Sequence, residues 1–352
     1  MKRIIILLLM LSLLSGCNQS PPESLAESET TAIVEPSGNY KIESPLDESP
    51  IKGIARSTDS YLNFDDMESS LVDLSKEFVK TQDYFYKPGD ILTTEEVNEL
   101  LQRESSEYPN GLNLPEENNP KENPIYVNTM VESDFYTLNE KSEQNVNTIA
   151  FGFGIDTTYT YDEDKDDVDI SDDEIENFIT KYISNKMVNY IRQVKEIEDV
   201  NIICAFYKES NDMLLPGSYY TYGYIPVEDE GLEKVKTQNI EYKMFPDYSS
   251  EDTINLEIEN FVTKLNQFFI SNTGVSAIGK YEDNKLVNLD MEVVIQYYSE
   301  INLESLIQYI KDNLTTELLA IPKLEITIKS SSGDTYAILE YNSAKIVTEY
   351  IK

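Results

Sequence analysis

The sequence predicts an α+β fold built from two related repeats, each an antiparallel sheet with a helix packed on one face, preceded by a small helical segment. Three observations predict it. The 352 residues, 40% of them hydrophobic, leave room for two buried cores. Strand and helix patterns follow one another twice in the order β-α-β-β. The strands alternate, with Leu324, Ile326 and Ile328 on one face, which is typical of an antiparallel sheet covered on a single side.

The first repeat is assigned to residues 121–235. Its helix has apolar residues at steps of three and four, and Ser171 and Glu174 form a capping box at its start. The predicted elements are a strand at Ile149–Tyr161, a helix from Ser171 to about Lys195, and strands at Val200–Ser210 and Ser218–Ile225.

The second repeat is assigned to residues 236–352 and has the same order. An amphipathic helix over about Glu251–Ile270 precedes the β-α-β-β pattern of this repeat, and Asn302 is the predicted N-cap of the helix within the pattern. The predicted elements are strand structure within Ser276–Tyr298, a helix over about Asn302–Leu319, and strands at Lys323–Ser331 and Thr335–Tyr341.

A helical segment, residues 58–120, comes before the repeats. Met67, Leu71 and Leu74 recur at helical spacing. Further on, Thr93 and Glu96 have the spacing of a capping box and predict a second helix. A stretch rich in proline, asparagine and glycine then separates this segment from the first repeat.

The N-terminus has the pattern of a lipoprotein signal peptide, residues 1–16. Lys2 and Arg3 precede an apolar stretch, Ile4–Leu14, that is too short to span about 30 Å of hydrocarbon as a stable anchor. Small residues then lead into Cys17, as in a bacterial lipobox. We therefore expect cleavage between Gly16 and Cys17 and a lipid on the Cys17 thiol. The alternatives are an ordinary secretory signal or an uncleaved anchor.

Residues 17–57 are rich in proline, serine and glutamate and lack apolar periodicity, which predicts a disordered acidic tether. An acidic tether is repelled by anionic lipid, so the lipid on Cys17 must supply the attachment to the membrane. The expected location is the extracellular face of the cell membrane.

Composition excludes several classes of function. The formal net charge is −37, which makes a nucleic acid an unfavourable partner. There is no histidine, which excludes histidine-based acid–base, nucleophilic and metal sites. The acidic run from Asp162 begins like a calcium loop but has Asp167 where the loop needs glycine and Asp173 where it needs glutamate. We expect no metal, no cofactor and no enzymatic activity.

Three further features are weighed against plainer explanations. Cys204 lies in an apolar strand with no nearby base, so an inert buried thiol is expected. Gly152 and Gly154 indicate a bulge or a close backbone approach, since no phosphate-loop glycine follows them. Alternation places three of the 25 tyrosines on one face of a strand, where they could bind a ligand or fill a half-buried sheet. These are Tyr220, Tyr222 and Tyr224.

The body resembles the CamS family of Gram-positive lipoproteins, named for sex-pheromone precursors. The resemblance is carried by NPIYVNTMVESDFYT, TIAFGFGIDTTYTY with ISDDEIE, VNIICAFYKES with LLPGSYYTYGYI, TGVSAIGKYEDNKLVNLDMEVVIQYYSE with IQYIKDN, and PKLEITIKSSSGDTYAILEYN. It implies a body of two α+β repeats and no catalytic residues. It also implies that a peptide from the signal sequence is released and recognised by a receptor in other bacteria. The segment concerned comprises Leu9, Met10, Leu11, Ser12, Leu13, Leu14, Ser15 and Gly16.

The leading interpretation is therefore a non-enzymatic, lipid-anchored surface protein whose signal peptide yields a pheromone-like peptide. The alternative is a surface module that binds a peptide or glycan through its tyrosine-rich sheet. A carboxylate-pair enzyme is the third interpretation, but 65 acidic residues mark out no particular pair. The ligand of the body is not predicted by the sequence.

Overall fold

The computed structural model describes residues 32–56, 63–115, 124–155, 157–159, 168–176, 180–210, 212, 214–268, 274–296, 299–342 and 345–350. The α-helices are α1 (Phe64–Ser75), α2 (Thr94–Leu100), α3 (Thr180–Asn189), α4 (Thr253–Phe268), α5 (Glu300–Asn313) and α6 (Thr316–Leu319). A single helical turn, Asp172–Glu174, precedes α3, and a π-helical turn, Tyr190–Val194, follows it.

The strands belong to two large sheets and two small ribbons. In chain order they are β1 (Ala32–Val34), β2 (Ile42–Ser44), β3 (Phe85–Pro88), β4 (Val127–Leu138), β5 (Gln144–Ile155), β6 (Thr158–Tyr159), β7 (Val168–Asp169), β8 (Asn201–Lys208), β9 (Ser218–Ile225), β10 (Lys236–Thr237), β11 (Ile240–Phe245), β12 (Gly274–Glu282), β13 (Lys285–Ile295), β14 (Lys323–Ser330), β15 (Thr335–Asn342) and β16 (Lys345–Tyr350). The ribbons are β1–β2 and β6–β7.

The first large sheet has the order β10-β9-β8-β5-β4-β3, and the second has the order β11-β12-β13-β14-β15-β16. Each contains one parallel pair, β5 with β8 and β13 with β14, while the remaining pairs are antiparallel. The prediction of purely antiparallel sheets is therefore wrong. The parallel pairs arise because the chain crosses back through helical structure, α3 in the first sheet and α5 with α6 in the second, and so re-enters in the same direction.

Several helix boundaries follow from local capping. The predicted box at the start of α2 is present in both directions between Thr93 and Glu96. The N-cap of α5 is Ser299, and the prediction of Asn302 is wrong. The predicted helix to Leu319 is also interrupted: Leu314 is extended, and the side chain of Thr315 caps α6 as a separate turn.

The first sheet is covered on both faces. On one face α2 and α3 contribute to a core with Phe151, Phe153 and Phe206. On the other face α1 packs Met67 and Leu71 against β4, β5, β8 and β9. This differs from the predicted single covered face. The apolar run in β5, which is buried without alternation, is the local sign of a strand enclosed on both sides.

Residues 32–56 also pack on the body. Tyr40 is 1% exposed and donates its hydroxyl hydrogen bond to the carbonyl of Val79, and Ile51 is fully buried in the first core. The hydroxyl of Ser49 donates to the carbonyl of Gly89. This differs from the tether predicted to extend to residue 57. Periodicity could not predict this packing, because only a few apolar side chains, widely spaced in the sequence, attach the segment to the other elements.

The second sheet has a separate core. The apolar side chains of α4, α5 and α6 pack with those of the strands, including Met291, Ile326 and Leu339. The β12–β13 hairpin turns at Asp283 and Asn284, which have φ values of 48° and 63°. Positive φ at both central positions is typical of the type I′ turn that matches the twist of a hairpin. None of the helices in the described part of the chain has the length and apolar character to span a bilayer.

Candidate functional site

A β-bulge in β9 decides where the predicted tyrosines point. Phe206 pairs with Thr221 but Tyr207 pairs with Tyr219, so Tyr220 has no partner residue on β8. An extra residue reverses the alternation that follows it. Tyr220 consequently packs with the core under α3, while Tyr222 and Tyr224 belong to the cluster under α1. The shared face that alternation predicts for the three residues is wrong.

The two tyrosines on the α1 side make specific contacts. Tyr222 donates its hydroxyl hydrogen bond to Oε1 of Glu77 at 2.8 Å, and burial, with this contact, raises the pKa of Tyr222 to about 12. Its ring meets Phe78 edge-on at 6.2 Å between centroids, and Tyr224 stacks on the same ring at 5.5 Å. Tyr220, on the other face, lies under the Lys208 ammonium at 3.5 Å.

Tyr222 also lines a half-open cavity of about 170 Å³ where the two large sheets approach each other. The first sheet contributes Tyr219 and Tyr222, and the second contributes Tyr242 and Lys280. The third wall is α1 with the turn that follows it, including Glu77. We call this the junction cavity. It gathers residues from three parts of the chain, and of the three predicted tyrosines only Tyr222 is among them.

The floor of the junction cavity is held by tyrosine hydroxyls. Tyr219 is 2% exposed and donates to the backbone carbonyl of Met67 in α1 at 3.0 Å. Beside it, Tyr207 donates to Oδ2 of Asp66 at 2.6 Å, and burial raises the pKa of the Asp66 carboxyl despite this hydrogen bond. These bonds fix α1 across the sheet and so fix the shape of the cavity.

A buried pair of carboxyl groups, Glu132 and Asp134, lies elsewhere on β4. Glu132 accepts backbone hydrogen bonds from Ile91 and Leu92 at 2.8 and 3.1 Å, and Oδ2 of Asp134 accepts one from Asp90 at 3.2 Å. The two carboxyl groups are close enough for the charge of Glu132 to act on Asp134. The pair therefore anchors the loop that leads into α2.

The pKa values of this pair are displaced upward. Burial raises the pKa of Glu132 to about 7, and the backbone N–H groups oppose this shift. Burial and the neighbouring Glu132 charge raise the pKa of Asp134 well above its usual value. Both side chains are at most 1% exposed, so neither meets a substrate in this conformation. Sequence analysis missed the pair, although Glu132 and Asp134 stand two apart in a segment of otherwise β-forming residues.

A larger cavity, of about 780 Å³, lies between α3 with its π-helical turn and residues 227–233. Arg192 lines it, but the guanidinium donates hydrogen bonds to the backbone carbonyls of Pro226, Val200 and Asp229. Arg192 therefore fastens the loop to the helix. Its charge is committed to that contact.

The model of the CamS sex pheromone cAM373 precursor family matches residues 46–345. The chain belongs to this family. No curated protein matches the chain. The family resemblance inferred from the sequence segments is thus confirmed.

Two solved structures share the fold. A sex pheromone precursor from Lactobacillus salivarius is 23% identical, with a TM-score of 0.76, and the match covers 92% of this chain and 98% of that one. The C-terminal domain of the sex pheromone staph-cAM373 precursor from Staphylococcus aureus is 20% identical, with a TM-score of 0.67, and the match covers 82% and 96%. At these identities the likeness establishes the mixed α+β architecture of CamS proteins for this chain.

Several predicted sites of this CamS protein lie outside the described residues. They are Cys17, the segment Leu9–Gly16 and the acidic run from Asp162 to Asp167. Cys204 is described and buried, and burial raises the pKa of its thiol. Within the described ranges, no group of three or more carboxylates or thiols is arranged to hold a metal ion.

The glycines of the FGFG segment are close-approach positions, as predicted. A Cβ atom on Gly152 would overlap the hydroxyl of Tyr219 and lie 2.9 Å from Cγ2 of Val131. A Cβ atom on Gly154 would overlap Cγ2 of Thr129. Glycine is therefore needed at Gly152 for Tyr219 to reach α1 across the sheet.

Proposed function

We propose that this CamS protein is a lipid-anchored, non-enzymatic surface protein, held at the extracellular face of the cell membrane by a lipid on Cys17. The observation that carries the proposal is the run of small residues ending at Cys17, directly after a short apolar stretch with Lys2 and Arg3 before it. Membership of a family named for pheromone precursors supports it.

We propose further that the signal peptide yields a pheromone-like peptide from within Leu9–Gly16. The segment is uncharged and apolar, and one cut before Cys17 and another within the membrane would release it. Membership of a family of sex pheromone precursors supports this proposal. The partner would be a peptide receptor on a recipient cell. The acidic body is not expected to bind nucleic acid.

The anchoring proposal predicts the behaviour of Cys17→Ala. Without the thiol no lipid can be attached, so the variant should lose incorporation of a labelled palmitate and leave the membrane fraction or accumulate as precursor. Cys204→Ala is the matched control, because it removes the other cysteine and should keep both the label and the membrane fraction. Normal processing and full membrane retention of Cys17→Ala would count against the lipid anchor.

The peptide proposal predicts a product in the culture medium. Mass spectrometry should detect a fragment that ends at or near Gly16 while the mature protein accumulates. The Cys17→Ala strain should release none of it, because cleavage before residue 17 depends on the lipid. Absence of the fragment from medium of cells that make mature protein would end the proposal for this chain.

A second candidate function is a surface module that binds a peptide or glycan through its tyrosine-rich sheet. The observation that favours it is the junction cavity, which has Tyr219, Tyr222 and Tyr242 in its wall. Tyrosine offers an apolar ring and a polar hydroxyl on one rigid side chain, as recognition surfaces require. The two functions are compatible, since one concerns the signal peptide and the other the body.

We also propose that the two large sheets are related repeats. In each, two antiparallel strands lead through helical structure to a parallel strand and then to an antiparallel one. The helices α3 and α5 occupy equivalent places in this order.

A further inference from the structure

The charged side chains of the junction cavity are already paired. Asp73 forms an ion pair with Lys76 at 2.7 Å, and Lys280 forms one with Glu282 at 2.9 Å. Glu77 is paired with Lys236, outside the cavity wall. A charged ligand would have to compete with these partners, so the cavity favours a ligand without net charge.

The neutral polar side chains of the cavity are the ones that can still form hydrogen bonds with a ligand. Tyr242 lines the cavity, and its hydroxyl forms no hydrogen bond within the described part of the chain. Burial raises the pKa of this phenol, so it stays protonated and can donate. Gln238 donates one amide hydrogen to the carbonyl of Tyr219 at 2.6 Å, which fixes the orientation of its side chain in the wall.

Shape restricts the ligand to one small ring. The cavity volume of about 170 Å³ lies well below the roughly 300–1,000 Å³ typical of sites for drug-sized ligands. Tyrosine side chains from both sheets line the space, Tyr222 from the first and Tyr242 from the second. A compact ring with polar substituents on its rim matches aromatic walls combined with scattered amide, hydroxyl and ion-paired groups.

We propose that the junction cavity binds a single neutral pyranose unit of a glycan. This inference rests on the second candidate function and gives it a ligand class and a place. Sugar hydroxyls both donate and accept, so they can bond to Tyr242 and Gln238 without displacing the ion pairs of the wall. The binding surface is therefore the junction of the two sheets, with Tyr222 as its only member among the three tyrosines predicted from β9.

The test is a titration of the full folded body, followed by NMR or calorimetry, with glucose, galactose and N-acetylglucosamine. At least one sugar should bind with a Kd on the order of 1 mM, as expected for a ligand of this size. Cyclohexanol, which has a six-membered ring with a single hydroxyl, should not bind measurably. The Tyr242→Phe variant should weaken sugar binding by about three- to tenfold, because one hydrogen bond is lost.

Controls separate binding from folding. Tyr248→Phe removes a hydroxyl from a side chain that is 79% exposed and outside the cavity, and it should bind the sugar as the wild type does. Gln238→Ala should also weaken sugar binding. The melting temperatures of Gln238→Ala and Tyr242→Phe should both stay within a few degrees of the wild-type value. Equal affinity of Tyr242→Phe and the wild type would overturn the assignment of the site.

A panel of uncharged tripeptides distinguishes the inference from the function on which it rests. Binding of a tripeptide but of no sugar would overturn the sugar assignment and leave the body a binding module. Binding of neither class would overturn both. Binding of a sugar that Tyr220→Phe weakens and Tyr242→Phe does not would move the site to the opposite face of the first sheet and overturn the junction cavity.

Discussion

The Asp134→Asn variant is expected to be more stable than the wild type at about pH 8, by roughly 1–2 kcal/mol, and to lose this advantage at about pH 5. As the pH rises, the wild-type pair gives up the proton that burial favours, which brings two carboxylates side by side in a buried place. The asparagine amide can donate to Glu132, and its oxygen can still accept from the backbone of Asp90. Part of the gain is offset because the attraction between Asp134 and Lys87 is lost.

The direction in which the stability of the wild-type protein changes with pH follows from the raised pKa values. Between the ordinary glutamate value of 4.5 and the folded value of about 7, the folded state binds more protons than the unfolded state. The stability that Glu132 contributes is therefore greatest at low pH and is lost as the pH rises through about 7, by roughly 3 kcal/mol. Urea unfolding at a series of pH values measures it.

The high net charge of the chain makes a matched control necessary, because general repulsion also weakens the fold as pH rises. Asp83→Asn changes the charge by the same amount at an exposed position, so its pH profile should parallel that of the wild type. Asp134→Asn should instead have a flatter profile between about pH 5 and pH 8. Parallel profiles for all three proteins would show that the pair binds no additional proton in the folded state.

The Gly152→Ala variant is expected to lose about 2–4 kcal/mol of stability. The new methyl group would overlap the Tyr219 hydroxyl and crowd Val131, and Tyr219 is held in place as a side chain that is only 2% exposed. Displacing it breaks the hydrogen bond to the carbonyl of Met67 and loosens α1 from the sheet. Denaturant unfolding measures the loss.

Two further variants test this explanation. Gly274→Ala is the matched control within a strand, since a Cβ atom there meets only Cβ of Val294, at 3.9 Å. Its stability should change by less than about 1 kcal/mol. The double variant Gly152→Ala with Tyr219→Phe should recover part of the loss, because removing the hydroxyl removes the worst overlap. No recovery would mean that Val131, not Tyr219, limits the space at this position.

Local patterns predicted the elements better than their assembly. The capping box at Thr93 and Glu96 and the apolar spacing of α4 depend on neighbouring residues, and the structure has them where expected. The helix predicted from Ser171 to about Lys195 is α3 with a single helical turn before it and a π-helical turn after it. The direction of β8 relative to β5 depends on how the chain returns across the sheet, which alternation does not report. The continuous apolar run of β5 did indicate burial on both faces, and it could have predicted a second covering layer.

The candidate site was predicted only in part, for a similar reason. Tyr222 was identified because it stands in a cluster of tyrosines, but the bulge at Tyr220 contains no glycine or proline that would indicate it. Tyr242 and Lys280 come from the second sheet and meet Tyr222 only through the packing of the two sheets. The buried carboxyl pair on β4 arises from burial by the loop that precedes α2, a contact between residues about 40 positions apart.

The early start of the folded body limits its reach. Ala32 is already paired with Ser44 in the β1–β2 ribbon. With a lipid on Cys17, as proposed, residues 17–31 connect the lipid to the body. At no more than about 3.5 Å per residue they extend at most about 50 Å. The start of the body would then stay within a layer above the membrane surface that is scarcely thicker than the bilayer itself, which is about 40–45 Å with its headgroups. Confinement to so thin a layer raises its effective concentration toward ligands and receptors at the same surface.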